Sequence, residues 1–315
     1  MTDTSSNQIW QAWQNYRDFE LRAHRFRPEM LPLFYQYLGI RPDSNVLDGG
    51  CGTGVFTRFL AQGLTDGRIT GFDINPGFIA YGCARNKEMA LENRVTLELA
   101  DGFQLPYPDH TFDAVTNYTY LGVLSDPPAG LRELIRVGKP GAVISCVVAT
   151  NQVQAVHWLG DYPFAGADEL QRLLAQEGKI FTQFAHAGAD LRQSNEWHAF
   201  RYPKLFDQCG LQDINLYPFA HAICYSDSRF PADYRRELAI AETRSDSEWI
   251  RSRYQAKRDI YNQHQFSDQD CDRLIELLDR KAMYLAEHFD QDRSYEWHGA
   301  FNFIVSGVKR ASYQV

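Results

Sequence analysis

Residues 45–56 read NVLDGGCGTGVF, and this short stretch decides the fold. The apolar pair Val46 and Leu47 runs into Asp48 and then into glycines at 49, 50, 52 and 54. A helix or strand interior does not tolerate glycine at that density, because each one costs up to about 1 kcal/mol there. The stretch is therefore a strand, a bare turn and the start of a helix at VFTRFLAQGL. A backbone so stripped of side chains lies against something that must come close to it.

Outward from this turn the chain alternates. RITGFDI is a strand and PGFIAYGCARNKEMALEN a helix with proline in its first turn. VTLELAD and FDAVTNYT are strands, and PPAGLRELIRVGKPG is a helix ended by Pro140–Gly141. GAVISCVVAT is a strand. This rhythm gives βαβ units and a parallel sheet. Upstream, residues 7–38 read as helical and stop at Gly39. After Thr150 the rhythm breaks, with one helical stretch at DELQRLLAQEG. It returns in YPKLFDQCGLQ and DINLYPFA, breaks again into helical sequence, and closes on the strand AFNFIVSGVKR. In that second break PADYRRELAIAETR is a helix. In SDQDCDRLIELLDRKAMYLAEHF, Ser267 can cap the start with Asp270, and Leu274, Leu278, Leu285 and Phe289 form a stripe. The stripe reads as packing within the insertion, with a homodimer surface as the alternative.

The expected organisation is residues 1–150 as N-terminal helices and a ligand-binding core, and 151–198 as a first insertion. Residues 199–219 return to the core, 220–298 form a helical insertion, and 299–315 hold the last strand and C-terminus. The fold class is α/β: a Rossmann-like, seven-stranded, mostly parallel sheet with helices on both faces. Open α/β sheets bind ligands outside the carboxyl ends of their strands. Insertions after the fifth and sixth strands are thus expected to form a mainly helical lid.

The 315 residues are 44% hydrophobic and 23% charged, with a net charge of −8. That balance suits neither a nucleic-acid backbone nor an anionic membrane, and it favours a small-molecule partner. Six cysteines occur without a C-x-x-C pair, so neither a disulfide framework nor a zinc site is expected. The opening MTDTSSNQIW lacks a signal-peptide pattern, and no apolar run reaches membrane-spanning length. The expectation is a cytoplasmic protein that binds no metal.

Dinucleotide binding wants G-x-G-x-x-G. From Gly50 the sequence has Gly52 and Gly54 but Val55 in the last position, which removes that reading. LDGGCGTG instead resembles the first motif of the class I S-adenosylmethionine-dependent methyltransferases. GFDI places Asp73 twenty-five residues after Asp48 (73 − 48), and LADGFQLPYPDHTFD resembles the adenine-edge motif. FDAVTNYTYLGVLSDPPAGLRELIRVGKPGA is similar to the family's fourth strand, helix and Lys-Pro-Gly turn. The resemblance covers roughly residues 30–150, 199–219 and 299–310.

It implies S-adenosyl-L-methionine as cofactor. Gly50, Gly52 and Gly54 would lie against its methionine part, with Asp48 holding the amino-acid end. Asp73 would take the ribose hydroxyls beside Ile74. Asp101 would take the exocyclic amine, with Gly102 and Phe103 near the ring. Asn117 would help to hold the cofactor, and Tyr16, with Trp10 and Trp13, would close the site from the N-terminal side. Plainer readings stand beside these: Asp48 as a turn-former, Asp73 as a solvated strand end, and Asp101 as a cap on its own turn. The N-terminal aromatics equally fit a helix packed on the core.

For the acceptor side the candidates are Tyr118 and Tyr120, after the fourth strand, and His157, His198, His221 and His298, each beside aromatics in or near the insertions. The alternative for all six is core packing with a satisfied polar group. Many relatives carry a histidine pair after the fourth strand; here those positions hold Gly122 and Val123, so no base is carried over. The resemblance implies methyl transfer to O, N, S or C of a small molecule by in-line displacement, mainly through positioning. The alternatives are a protein substrate, or the same cofactor used without methylation.

Overall fold

The computed structural model describes residues 20–149, 156–158, 163–186, 201–289 and 297–310, with backbone only at 22, 24, 149, 156–158, 182–186, 221–223 and 297–301. The chain divides into two compact units. One comprises Met1–Thr150, Leu191–His221 and Phe301–Val315, and the other Asn151–Asp190 and Ala222–Ala300.

The first unit is built on the sheet. β1 (Asn45–Gly49) lies between β2 (Arg68–Asp73) and β4 (Phe112–Asn117), parallel to both. β3 (Val95–Leu99) pairs parallel with β2, and β5 (Gly138–Ala149) parallel with β4. Successive residues of β1 face opposite sides, so the strand is buried on both. Val46 packs with Phe34 and Leu38 of α1 (Leu31–Leu38) and with Phe56, Phe59 and Leu60 of α2 (Val55–Ala61). Leu47 joins the opposite cluster, with Phe72, Val115, and Leu131 and Leu134 of the helix Pro127–Val137. α3 (Pro76–Glu88) connects β2 to β3, that Pro127–Val137 helix is α4, and α6 (Tyr202–Gln208) leads to β7 (Gln212–Cys224).

β8 (Trp297–Val308) runs antiparallel to β5, pairing Val143 with Val308 and Ala149 with Asn302. The strand order is β3-β2-β1-β4-β5-β8-β6, with β7 paired to β8. The seven expected strands are present, joined by an eighth, β6 (Val156–Trp158), on the amino end of β8. Three residues are too few to carry a period, which is why β6 was not legible. β5 also starts earlier than expected. Lys139–Pro140–Gly141 lies in the strand instead of ending the helix, across a register shift between Phe112 and Ala114.

The second unit contains α5 (Ala167–His186), α7 (Ala232–Ala256), α8 (Arg258–Gln263) and α9 (Asp268–His288). Its core joins Leu170 and Leu173, Ile250 and Tyr254, Tyr261, Phe266, and Leu274, Leu277 and Leu278. Leu274, Leu278, Leu285 and Phe289 are all buried within the chain. The stripe is therefore spent on internal packing, which removes it as a dimer surface. Among the described residues no helix is long and apolar enough to cross a membrane.

Candidate cofactor site

The turn after β1 has left-handed φ at Gly50 (+63°), Gly52 (+57°) and Gly54 (+84°), a region that glycine enters without steric cost. Asp73, at the end of β2, fixes the turn. One carboxylate oxygen accepts from the Gly52 N–H at 2.9 Å and the other from the Asn75 N–H at 2.9 Å. Burial raises its pKa while the backbone donors oppose the shift. Each oxygen keeps a further lone pair for a ligand hydroxyl.

Asp48 is 1% exposed. Its Oδ2 accepts from the Thr57 hydroxyl at 2.6 Å, while its Oδ1 is buried with no partner. Burial, aided by the nearby Asp73 charge, pushes its pKa up to about 7. The register pairs Asp48 with Thr116 of β4, whose Oγ1 is likewise buried without a partner. Residues paired across parallel strands share a face, so two unmet oxygens stand on one side of the sheet edge. Sequence reasoning missed Thr116, because only the register brings it there.

Arg58, a second omission, is 5% exposed on α2. Its guanidinium donates to the Thr53 carbonyl at 2.8 Å and to Asn86 Oδ1 at 3.2 Å, and it ion-pairs with Glu20. The Thr53 hydroxyl donates to the same Glu20 oxygen at 3.1 Å. This group braces the glycine turn. Cys51, within the turn, has its thiol pushed well up by burial and by the Asp48 and Asp73 charges, so it stays protonated.

Asp101 caps its own turn, as the plainer reading had it: its Oδ1 accepts from the Phe103 N–H at 2.9 Å. Its remaining lone pairs leave acceptor capacity. Ile74 and Phe103 are exposed beside these acids, as is Leu99, which the sequence reading did not single out. Apolar side chains exposed next to ordered carboxylates suit a ligand that is part apolar and part polar.

Asn117 lies at the end of β4, fully buried, and its amide is spent inside the protein. Its Nδ2 donates to the Ser145 carbonyl at 2.9 Å, and the Cys146 thiol donates to its Oδ1 at 2.9 Å. These bonds fix the end of β4 beside the glycine turn and leave the backbone of Asn117 to serve the expected role at the cofactor. Tyr118 packs edge-on against Phe26, with ring centroids 5.2 Å apart, and its hydroxyl is buried without a partner. Tyr120 packs edge-on against Phe72.

His157 and His298 are direct partners in the β6–β8 ladder, and His221 is in β7. Their side chains, with Tyr16, His198, Trp10 and Trp13, lie outside the described residues. Among the described residues no cluster of His, Cys, Asp and Glu could hold a metal.

The donor set fits S-adenosylmethionine. An orphaned buried carboxylate oxygen suits an ammonium, an ordered acid suits a diol, exposed apolar side chains suit a base, and the bare turn leaves room for the methionine chain.

Residues 46–141 match the family model described as a methyltransferase domain. The chain is 32% identical over 152 residues to a demethylmenaquinone methyltransferase of Symbiobacterium thermophilum, covering 48% of this chain and 54% of that protein. It is 29% identical over 193 residues to the same-named protein of Bacillus cytotoxicus, covering 59% of this chain and 77% of that one. The chain thus spans little more than half of the first relative and about three quarters of the second. The solved structure of the cyclase SpnF shares the fold, with TM-score 0.50, 17% identity, and coverage of 90% of this chain and 81% of that one. The glycine turn, the acids at the ends of β1, β2 and β3, the strand order and these matches agree: residues 46–141 form a methyltransferase domain of the S-adenosylmethionine-dependent kind.

Proposed function

We propose that this chain is a cytoplasmic enzyme that methylates a small organic molecule. The observation that carries the reading is the pair of carboxylates at adjoining strand ends. Asp73 is tied to Gly52, and Asp48 is buried with one oxygen lacking a donor. When bound, the cofactor supplies a sulfonium-activated methyl group. Asp48 holds the ammonium and Asp73 the ribose hydroxyls, while Ile74, Leu99 and Phe103 flank the base and exclude water from it. Tyr118, a candidate on the acceptor side, is held by ring contacts with Phe26 and Phe56. With Gly122 and Val123 after β4, the chain contributes positioning rather than a base from that segment.

A small acceptor is supported by the names of the relatives, which specify demethylmenaquinone as the methylated compound, and by the net charge of −8. Six free thiols support a reducing compartment. Both insertions join the core at the edge that holds the glycine turn: the first leaves at the carboxyl end of β5, and the second re-enters at the amino end of β8. This supports reading 151–198 and 220–298 as insertions into the core that leave and re-enter at the ligand-binding edge of the sheet. A second reading keeps the cofactor without methylation, because the fold is shared with a protein named a cyclase.

The test is calorimetric titration with S-adenosylhomocysteine beside an Asp73→Ala variant, followed by a labelled-methyl screen of small acceptors. Binding by the intact protein that the variant loses, with S-adenosylhomocysteine formed during turnover, supports the proposal. Binding without S-adenosylhomocysteine formation favours the second reading, and no binding by the folded protein overturns both.

A further inference from the structure

Tyr120 has no role in the reaction as described so far. Its ring meets Phe72 edge-on, with centroids 5.6 Å apart and planes at 87°. It also lies across two glycines of the cofactor site. A methyl built on Gly50 would stand 2.3 Å from Tyr120 Cδ2, and one built on Gly102 would stand 1.6 Å from the Tyr120 hydroxyl. Neither position admits a side chain while the ring is there. The hydroxyl is buried and has no hydrogen-bond partner, a state that proteins rarely leave uncompensated. Burial raises the phenol pKa, and the charges of Asp101 and Asp73 raise it further, so the group near both acids remains a donor at neutral pH.

The two acids of the slot supply no donor side chain. Ionised Asp73 and Asp101 only accept hydrogen bonds. They suit the ribose hydroxyls and the exocyclic amine, but adenosine also presents ring nitrogens and a ring oxygen that only accept. We infer that Tyr120 binds the adenosine half of the cofactor, its hydroxyl donating to an acceptor atom between the groups held by Asp73 and Asp101. Gly102 is glycine because the hydroxyl occupies the place of a side chain. This moves Tyr120 from the acceptor pocket to the cofactor, and it rests on the cofactor reading above.

The experiment titrates the intact protein and Tyr120→Phe with S-adenosylhomocysteine and with 5′-deoxy-5′-methylthioadenosine, which lacks the amino-acid end. The unliganded variant is expected to melt at or above the wild-type temperature, since it loses an unmet polar group. Both ligands should bind it about three- to tenfold more weakly, the span of one net hydrogen bond. Unchanged affinity for both would overturn the inference and leave Tyr120 a packing residue. A loss confined to S-adenosylhomocysteine would overturn it by assigning the hydroxyl to the amino-acid half. A second variant, Gly102→Ala, should lower the melting temperature, and Tyr120→Leu in the same chain should restore it. Failure to restore it would overturn the assignment of Gly102. If the wild-type protein binds neither ligand, the cofactor reading falls, and this inference with it.

Discussion

Asp48 sits where its own charge is penalised. Its folded pKa is about 7 against an ordinary 3.8, with burial as the main cause. Between these values the folded protein holds a proton that the unfolded chain has released, so the stability contribution is full below about pH 4 and lost as pH rises through about 7. Asp73 is shifted in the same direction. The melting temperature of the unliganded protein should therefore fall across this window relative to Asp48→Asn, as differential scanning fluorimetry in a pH series would show. Affinity for S-adenosylhomocysteine should move the opposite way, because the ionised carboxylate gains an ammonium partner. The variant should lose affinity, along with most of that pH dependence. A wild-type profile parallel to that of the variant would remove Asp48 from the amino-acid subsite. At this scale the sequence was informative about Asp73, Asp101 and Phe103, whose positions follow from strand ends. It was silent on the amide of Asn117, which bonds Ser145 and Cys146 of a neighbouring strand.

At the scale of elements, start signals were easier to read than lengths. Asn75 opens α3, its side chain accepting from the Gly77 N–H at 2.9 Å and the Phe78 N–H at 3.3 Å, while its own N–H holds Asp73. Asn75→Ala should cost about 1 kcal/mol in a denaturant titration. It should also weaken S-adenosylhomocysteine binding, because the segment that orients Asp73 loosens. Ser267 and Asp270 form the capping box read from the sequence, each side chain bonding the other's backbone. The length of α7 was not legible. The expected helix stopped near Arg244, whereas the element runs to Ala256. Its buried face includes Thr243 and Ser247, whose hydroxyls donate to the carbonyls four residues back, at 2.8 and 3.3 Å. Polar residues satisfied within their own helix can face a core, and they blank the apolar stripe that sequence reading depends on.

At the scale of the whole molecule, two compact units have separate cores, and every described residue assigned to the cofactor belongs to the first. Leu274, fully buried in the second unit, tests this separation. Leu274→Ala should cost roughly 2–5 kcal/mol in the unfolding of that unit, with S-adenosylhomocysteine affinity kept within about twofold, less than the change one hydrogen bond typically makes. A large loss of affinity would make the helical unit part of the cofactor site. The sequence by itself determined the strand–turn–helix alternation, the glycine turn and the acids at the ends of β1, β2 and β3. Those features are local: they are written in periods of two and 3.6 residues and in the backbone freedom of single glycines. Only the tertiary structure decided that Thr116 stands beside Asp48, that Glu20 braces Thr53 through Arg58, and that Tyr120 fills the space above Gly50 and Gly102. Each of these joins residues with no periodic relation in sequence, and strand register and close packing choose such partners after the elements have formed.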